Sequence, residues 1–286
     1  MVFYLMYRIG YFLAMTLPLK VSYPVACLIS DIWYYLARPD RYAVMENLRV
    51  VTGIRDEKKL RRMARDVFRN FGKYLVDFFR FSKIDEDYLK RFIKIEGLEH
   101  IDAALSKGKG VIALSAHIGN WELGGFALSL LRHPMMAVVL THKNKMVNDF
   151  FTRQRKVSKL IPVEIGFSLR GCYKTLKENG ILALLGDRDF SKNGFPMKFF
   201  GKETVMPKGP AVLSARLGCE VVPSFMVREK DDTFRMVFAP PLERPSAGDE
   251  DSRVREIMKK YIAVMENYIR KYPTQWYMFK EAWNKA

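Results

Sequence analysis

GVIALSAHIGNWELGG, residues 110–125, is the stretch that decides how this chain folds. Its first seven residues form a short apolar run, the pattern of a strand buried on both faces. NWELGGFALSLL (120–131) then has the length and apolar spacing of a helix. A strand that runs through a short polar loop into a helix is the repeating unit of an α/β fold. Open α/β sheets bind their ligands in the loops at the carboxyl ends of the strands. His117 stands in that loop, and Glu122 lies five residues on, in the first helical turn. Asn120 is placed to cap the helix and satisfy its free amides.

The alternation continues outward in both directions. FIKIEG (92–97), MMAVVL (135–140), IPVEI (161–165), GILALLG (180–186), FPMKFF (195–200), EVVPSFMV (220–227) and TFRMVFA (233–239) read as strands. Helices are expected over 98–108, 146–159, 168–180, 209–217 and 251–271. The fold class is therefore α/β, with a mixed, mostly parallel sheet flanked by helices. No internal repeat or long linker divides it.

Residues 56–81 form an amphipathic helix. Leu60, Ala64, Val67, Phe68, Phe71, Leu75 and Phe78 recur at helical spacing, while Lys58, Lys59, Arg61, Arg62, Arg65 and Arg69 fill the other face. That basic face suits solvent or an anionic membrane, where each Lys or Arg is worth about 1 kcal/mol. Residues 1–37 are dominated by apolar and aromatic types, but Arg8, Lys20, Asp31, Pro18 and Pro24 interrupt them. The charge-free pieces fall short of the roughly 20 residues of a spanning helix. Two short helices associated with one leaflet are expected, with Tyr4, Tyr7, Tyr11, Tyr23, Trp33, Tyr34 and Tyr35 at the headgroup level. A single tilted span and a helical hairpin packed on the domain are the alternatives. The chain divides accordingly into a membrane-association region (1–40) and an α/β domain (41–286).

Lys and Arg number 48 against 31 Asp and Glu, a net charge of +17. Such a field draws nucleic acid, an anionic membrane or an acidic substrate. The aromatic, apolar N-terminus favours the membrane, and the chain has neither zinc-finger spacing nor an RNP1-type motif, so no nucleic-acid partner is expected. Cys27, Cys172 and Cys219 share no ligand spacing, and His100, His117, His133 and His142 are scattered without H-E-x-x-H, so no metal is expected. There is no G-x-S-x-G elbow for a serine hydrolase.

A histidine held by a carboxylate is the arrangement of a general base, which is what His117 and Glu122 could form. The alternative is that Glu122 only complements the helix dipole. Asp187, Arg188 and Asp189 follow the strand 180–186, on the same sheet edge as His117 if the two strands are parallel. An ion pair of Arg155 or Arg188 with an aspartate is one reading of these charges.

HIGNWELGG (117–125) resembles the His-x4-Asp/Glu motif of the glycerolipid acyltransferase superfamily, and its HxGNWE form resembles the lipid A late acyltransferase branch. NKMVNDFFTRQR (144–155), GDRDFSKNGFPMKFFGKETVMPKGPAVLSARLGCEVVP (186–223) and the aromatic tail YPTQWYMFKEAW (272–283) are similar to further blocks of that branch, in order. Lys143 and Lys145 depart from it, since an Asn-Pro pair is more usual there. The resemblance implies an acyltransferase that needs no cofactor. His117 would be the base, oriented by Glu122. Asn120, Arg155, Asp187, Arg188 and Asp189 would bind substrate. Backbone amides near the strand end would hold the oxyanion, with a basic side chain as a further donor. Phe195, Phe199 and Phe200 are candidates to line an acyl tunnel, with core packing as the alternative. The implied donor is an acyl carrier protein or acyl-CoA thioester. The implied acceptor is a lipid A precursor or related glycolipid, with a lysophospholipid or aminolipid as the alternative. The implied location is the cytoplasmic face of a bacterial inner membrane.

Overall fold

A computed structural model describes the whole chain except residues 1, 133–134, 158–159, 165–167, 191–192 and 284–286. His133, the end of the expected strand 161–165 and the end of the expected helix 146–159 lie outside the described residues.

Four helices come first: α1 (Val2–Thr16), α2 (Leu19–Leu36), α3 (Arg38–Thr52) and α4 (Glu57–Phe79). Asp56 caps α4, its carboxylate accepting from the Lys59 amide at 2.9 Å. α5 (Glu86–Phe92) leads into β1 (Ile93–Glu96), and α6 (Leu98–Leu105) into β2 (Val111–Ser115). Then come α7 (Trp121–Leu131), β3 (Met135–Val139), α8 (Lys145–Arg155), β4 (Leu160–Glu164), α9 (Ser168–Lys177) and β5 (Ile181–Leu185). A hairpin of β6 (Phe195–Phe199) and β7 (Lys202–Met206) precedes α10 (Gly209–Leu217), β8 (Glu220–Arg228), β9 (Phe234–Phe238) and α11 (Glu250–Lys271).

Seven strands form one sheet in the order β1-β9-β8-β2-β5-β3-β4. Every neighbouring pair is parallel except β8 with β9, which a hairpin joins. The sheet is thus mixed and mostly parallel, as its alternating sequence requires. β2 lies at the centre, and its residues Val111–Leu114 are buried. Because side chains alternate, Ala113 and Ser115 face α7 while Ile112 and Leu114 face the layer that holds α9, α10 and α11.

The N-terminal helices pack on the protein rather than standing apart. α2 lies along α4, and Arg65 and Arg69 both grip the Asp31 carboxylate at 2.7 Å. Those two arginines, expected on a free basic face, are therefore engaged in holding α2. Tyr7 and Tyr11 pack mostly edge-on against Phe79 and Phe150, and Tyr34 edge-on against Phe68, so these three rings face the core and not a headgroup belt, whereas Trp33 and Tyr35 are exposed. Tyr23 likewise turns inward, its hydroxyl donating to Asp77 at 2.6 Å. The opposite side of the pair is apolar and open: Leu5, Ile9 and Phe12 on α1, and Leu28, Ile32, Tyr35 and Leu36 on α2, are exposed. Among the described residues no helix is long and apolar enough to cross a membrane.

One strand escaped the sequence reading. β7 pairs antiparallel with β6 across Phe200 and Gly201, both at positive φ (52° and 75°), the two-residue turn that matches strand twist. Phe199 is buried at 1% exposure against Trp276 and Trp283, and Phe195 and Phe200 pack on the same cluster. These rings are core and not an acyl tunnel.

Candidate active site

The loop after β2 is tied down at every residue. Gly119 sits at φ +61°, and a methyl group there would fall 1.9 Å from the Met226 carbonyl oxygen, so only glycine fits. The Gly119 amide donates to Gln275 O at 2.9 Å, and the Asn120 amide to Met226 O at 2.8 Å. The Tyr277 amide donates to His117 O at 2.9 Å. The C-terminal segment 275–277 and β8 thus strap the loop from both sides, which fixes the His117 backbone.

His117 is held by Asp187, which follows β5. The parallel register of β2 and β5 brings the two strand ends together. Asp187 accepts from His117 Nδ1 at 2.7 Å, from the His117 amide at 3.1 Å and from Trp276 Nε1 at 3.0 Å. Burial alone would raise this carboxyl, but the imidazole, with its hydrogen bond, outweighs burial and holds it well below the usual carboxylate range. With Nδ1 bonded to a carboxylate, the hydrogen-bond network assigns the proton to Nδ1 and leaves Nε2 free to accept.

The expected partner, Glu122, is not the residue that holds His117. Its carboxylate receives Nε of Arg155 at 3.1 Å on both oxygens, and Nη2 as well. Arg155 is 8% exposed, lies over the Phe78 and Phe151 rings, and has its charge held by Glu122 against the cost of burial. A first-turn glutamate points along its own helix toward α8, whereas Asp187 lies across the sheet edge, directly beside the imidazole. The ion pair expected between Arg155 or Arg188 and an aspartate is correspondingly an Arg155–Glu122 pair.

Asn120 caps α7 as expected, with Oδ1 accepting from the Leu123 amide at 3.1 Å. It is 1% exposed, and its Nδ2 donates to Asp77 at 2.8 Å, so its part is positioning rather than substrate contact. Asp77 on α4 is a buried junction: Tyr23 of α2, Asn120 of the loop and Arg228 of β8 all donate to it. Asp189 accepts from the Gly194 amide at 2.9 Å and shapes the following loop. None of Tyr23, Asp77, Arg228 and Trp276 was legible as a site residue. Only Trp276 lay inside a stretch with family character.

Between α7 and the facing side of the sheet lies a cavity of about 320 Å³. His117, Glu122, Arg155, Arg188 and Tyr277 contribute to its polar lining. Ser115, His142 and Ser224 add to it, most of the rest is apolar, and the floor is set by register. Ala113, Ala183 and Ala137 are aligned across β2, β5 and β3, so three adjacent strands present methyl groups in one row. Gly124 and Gly125 of α7 also line it. Lining residues come from every strand from β9 to β4, five strand steps or about 24 Å.

The expected backbone donors for the oxyanion are already in use. The amides of 117, 118, 119 and 120 are bonded to Asp187, Ala116 O, Gln275 O and Met226 O. Arg188 lines the cavity with His117, its Nη2 bonded to the Tyr277 carbonyl oxygen and its buried Nε with no partner among the described residues. Burial lowers its pKa, with Asp187 opposing that shift.

Residues 1–285 match the family described as bacterial lipid A biosynthesis acyltransferase. Among curated relatives, the phosphatidylinositol mannoside acyltransferase of Mycobacterium tuberculosis (strain ATCC 25618 / H37Rv) is 28% identical over 221 residues, 75% of this chain and 68% of the relative. The lipid A biosynthesis palmitoleoyltransferase of Escherichia coli (strain K12) is 25% identical over 264 residues, 90% of this chain and 84% of the relative. The lipid A biosynthesis lauroyltransferase of the same strain is 22% identical over 268 residues, 92% of this chain and 85% of the relative. With an α/β sheet that carries His117 at the carboxyl end of its central strand, above an apolar trench, this chain belongs to the bacterial lipid A biosynthesis acyltransferase family.

Proposed function

We propose that this acyltransferase moves a fatty acyl chain from an acyl carrier protein or CoA thioester to a hydroxyl of a glycolipid at a membrane surface. The lipid A precursor is the first candidate acceptor. A mannosylated phosphatidylinositol is the second, because two differently substituted glycolipids appear in the names of the relatives. The observation that carries this reading is the His117–Asp187 pair standing at a trench whose floor is a row of alanines.

His117 Nε2 takes the proton of the acceptor hydroxyl as its oxygen attacks the thioester carbonyl carbon. The tetrahedral adduct collapses, the C–S bond breaks, and the departing thiolate takes the proton back from His117. An ester and a free thiol result, with no acyl-enzyme intermediate. Asp187 keeps Nε2 aimed at the cavity and stabilises the imidazolium as it forms. Arg188 supplies the donor for the oxyanion, since the loop amides are occupied. The Arg155–Glu122 pair braces α7 against α8 and so fixes one wall of the trench.

The donor's acyl chain lies in the trench, along the row of small side chains. Ala183→Leu fills the middle of that row and is expected to shift preference toward shorter donors. Each methylene left unburied costs about 0.8 kcal/mol, so the bias grows roughly fourfold per carbon. Competition between lauroyl and palmitoyl thioesters, read by product mass, checks it. An unchanged product ratio in the variant would place the chain elsewhere. The exposed apolar side of α1 and α2 rests on the bilayer, which brings the acceptor to the site.

A further inference from the structure

A second concavity, of about 710 Å³, opens between the end of α2, α3 and the start of α4. Its lining carries seven cationic side chains, Arg38, Arg41, Arg49, Lys58, Arg61, Arg62 and Arg65, against two acidic ones, Glu46 and Glu57. Both acids are bonded to Arg49, and Arg65 is committed to Asp31. Arg41 donates to the Tyr34 carbonyl oxygen and lies 5.3 Å from the centroid of the Tyr34 ring. Arg38, Lys58, Arg61 and Arg62 are exposed and form no close ion pair among the described residues, although Asp66 lies one turn from Arg62. So many like charges around one hollow repel one another, and an anion that entered would relieve that repulsion.

We infer that this groove holds the phosphate headgroup of an anionic phospholipid of the membrane on which the protein sits. Two features choose a lipid over another polyanion. Tyr35 and Tyr42 stand in the groove wall, 60% and 59% exposed. Next to Tyr35, Ile32 and Leu36 open directly onto the apolar side of α2. A phosphate between guanidinium forks, with acyl chains beside it on an apolar face, matches one lipid molecule at an interface. A nucleic acid has no aliphatic part to cover Ile32 and Leu36, and a lipid supplies the phosphate and the chains in one molecule. The groove is separate from the catalytic cavity, since Tyr34 and Phe68 stand between it and Phe279 on the cavity wall.

This inference rests on the reading that the α1–α2 face meets a bilayer, and the test separates the two. Full-length protein is mixed with vesicles of phosphatidylcholine alone or with added phosphatidylglycerol, and the bound fraction is measured by flotation. The groove triple Arg38→Gln/Arg61→Gln/Arg62→Gln is compared with Arg170→Gln/Lys174→Gln/Lys177→Gln on α9, which removes the same charge from other exposed positions. Turnover of both is also measured on acceptor dispersed in neutral detergent. The groove triple is expected to lose about a hundredfold in affinity for the anionic vesicles, the α9 triple several-fold at most, and both to keep wild-type turnover in detergent. Wild type that binds neither kind of vesicle contradicts the membrane reading itself. Wild type that binds both equally, or two triples that lose affinity equally, overturns the groove alone. A groove triple that loses turnover in detergent gives the groove to the donor or the acceptor, and also overturns the inference.

Discussion

Asp187→Asn is expected to cut acyl transfer by roughly ten-thousandfold while leaving a folded protein. Asp187 takes three donors at once: the His117 amide, His117 Nδ1 and Trp276 Nε1. An asparagine oxygen can keep the amide and the indole, but its NH2 then faces Nδ1. That forces the imidazole proton onto Nε2, the atom that must accept from the acceptor hydroxyl. The defect is therefore one of tautomer, and the geometry survives. Single-turnover rates beside a thermal melt measure it. A rate within tenfold of wild type in a folded variant would remove Asp187 from the base. Because this carboxyl is depressed below the usual range, its contribution is present above the ordinary carboxylate pKa. It is lost only as pH falls through the depressed value. Mild acid that stops the enzyme therefore acts on another group.

Asp77→Ala is expected to cost about 3–5 kcal/mol of stability, the cost of breaking a buried ion pair. Arg228, 7% exposed, would be left charged in the interior, and Tyr23 and Asn120 would each lose an acceptor. Asp77 also holds α2, the loop after β2 and β8 to α4, so the loop that positions His117 loosens as the protein weakens. Denaturant unfolding gives the loss directly. Asp77→Leu combined with Arg228→Met is expected to recover part of it, because a paired apolar replacement leaves no orphaned charge. A loss below about 1 kcal/mol for Asp77→Ala would mean the junction is not the brace its geometry indicates.

The sheet was legible because its strands are short apolar runs separated by helix-length segments, a pattern that depends on residue type alone. His117 stood out as a candidate because it sits in the loop that ends one of these runs and because HIGNWE resembles a family motif, since position alone fits an ordinary loop histidine equally well. Its partner did not stand out. Glu122 is near His117 in sequence, but a first-turn helix side chain reaches Arg155 on α8, while strand register brings Asp187 to the imidazole from 70 residues away. The Asp77 junction was hidden because each member looks like an ordinary helix or strand charge until four elements meet. β7 was missed because KETVM carries too few apolar residues to read as a strand without its partner. Tyr7, Tyr11, Tyr23 and Tyr34 pack inward while Tyr35 stays exposed, a division the sequence does not show because an aromatic residue suits a headgroup layer and a core equally well. Only packing separates the two.

Acyl transfer by detergent-solubilised wild type beside His117→Ala tests the central claim most directly. The donors are acyl carrier protein and CoA thioesters, and the acceptors are a lipid A precursor, a mannosylated phosphatidylinositol and a set of lysolipids. Mass spectrometry reads the products. A product one acyl chain heavier, made by wild type and reduced by a factor of about 100 to 10,000 in folded His117→Ala, is the predicted result. Undiminished turnover in folded His117→Ala would contradict the account at its base.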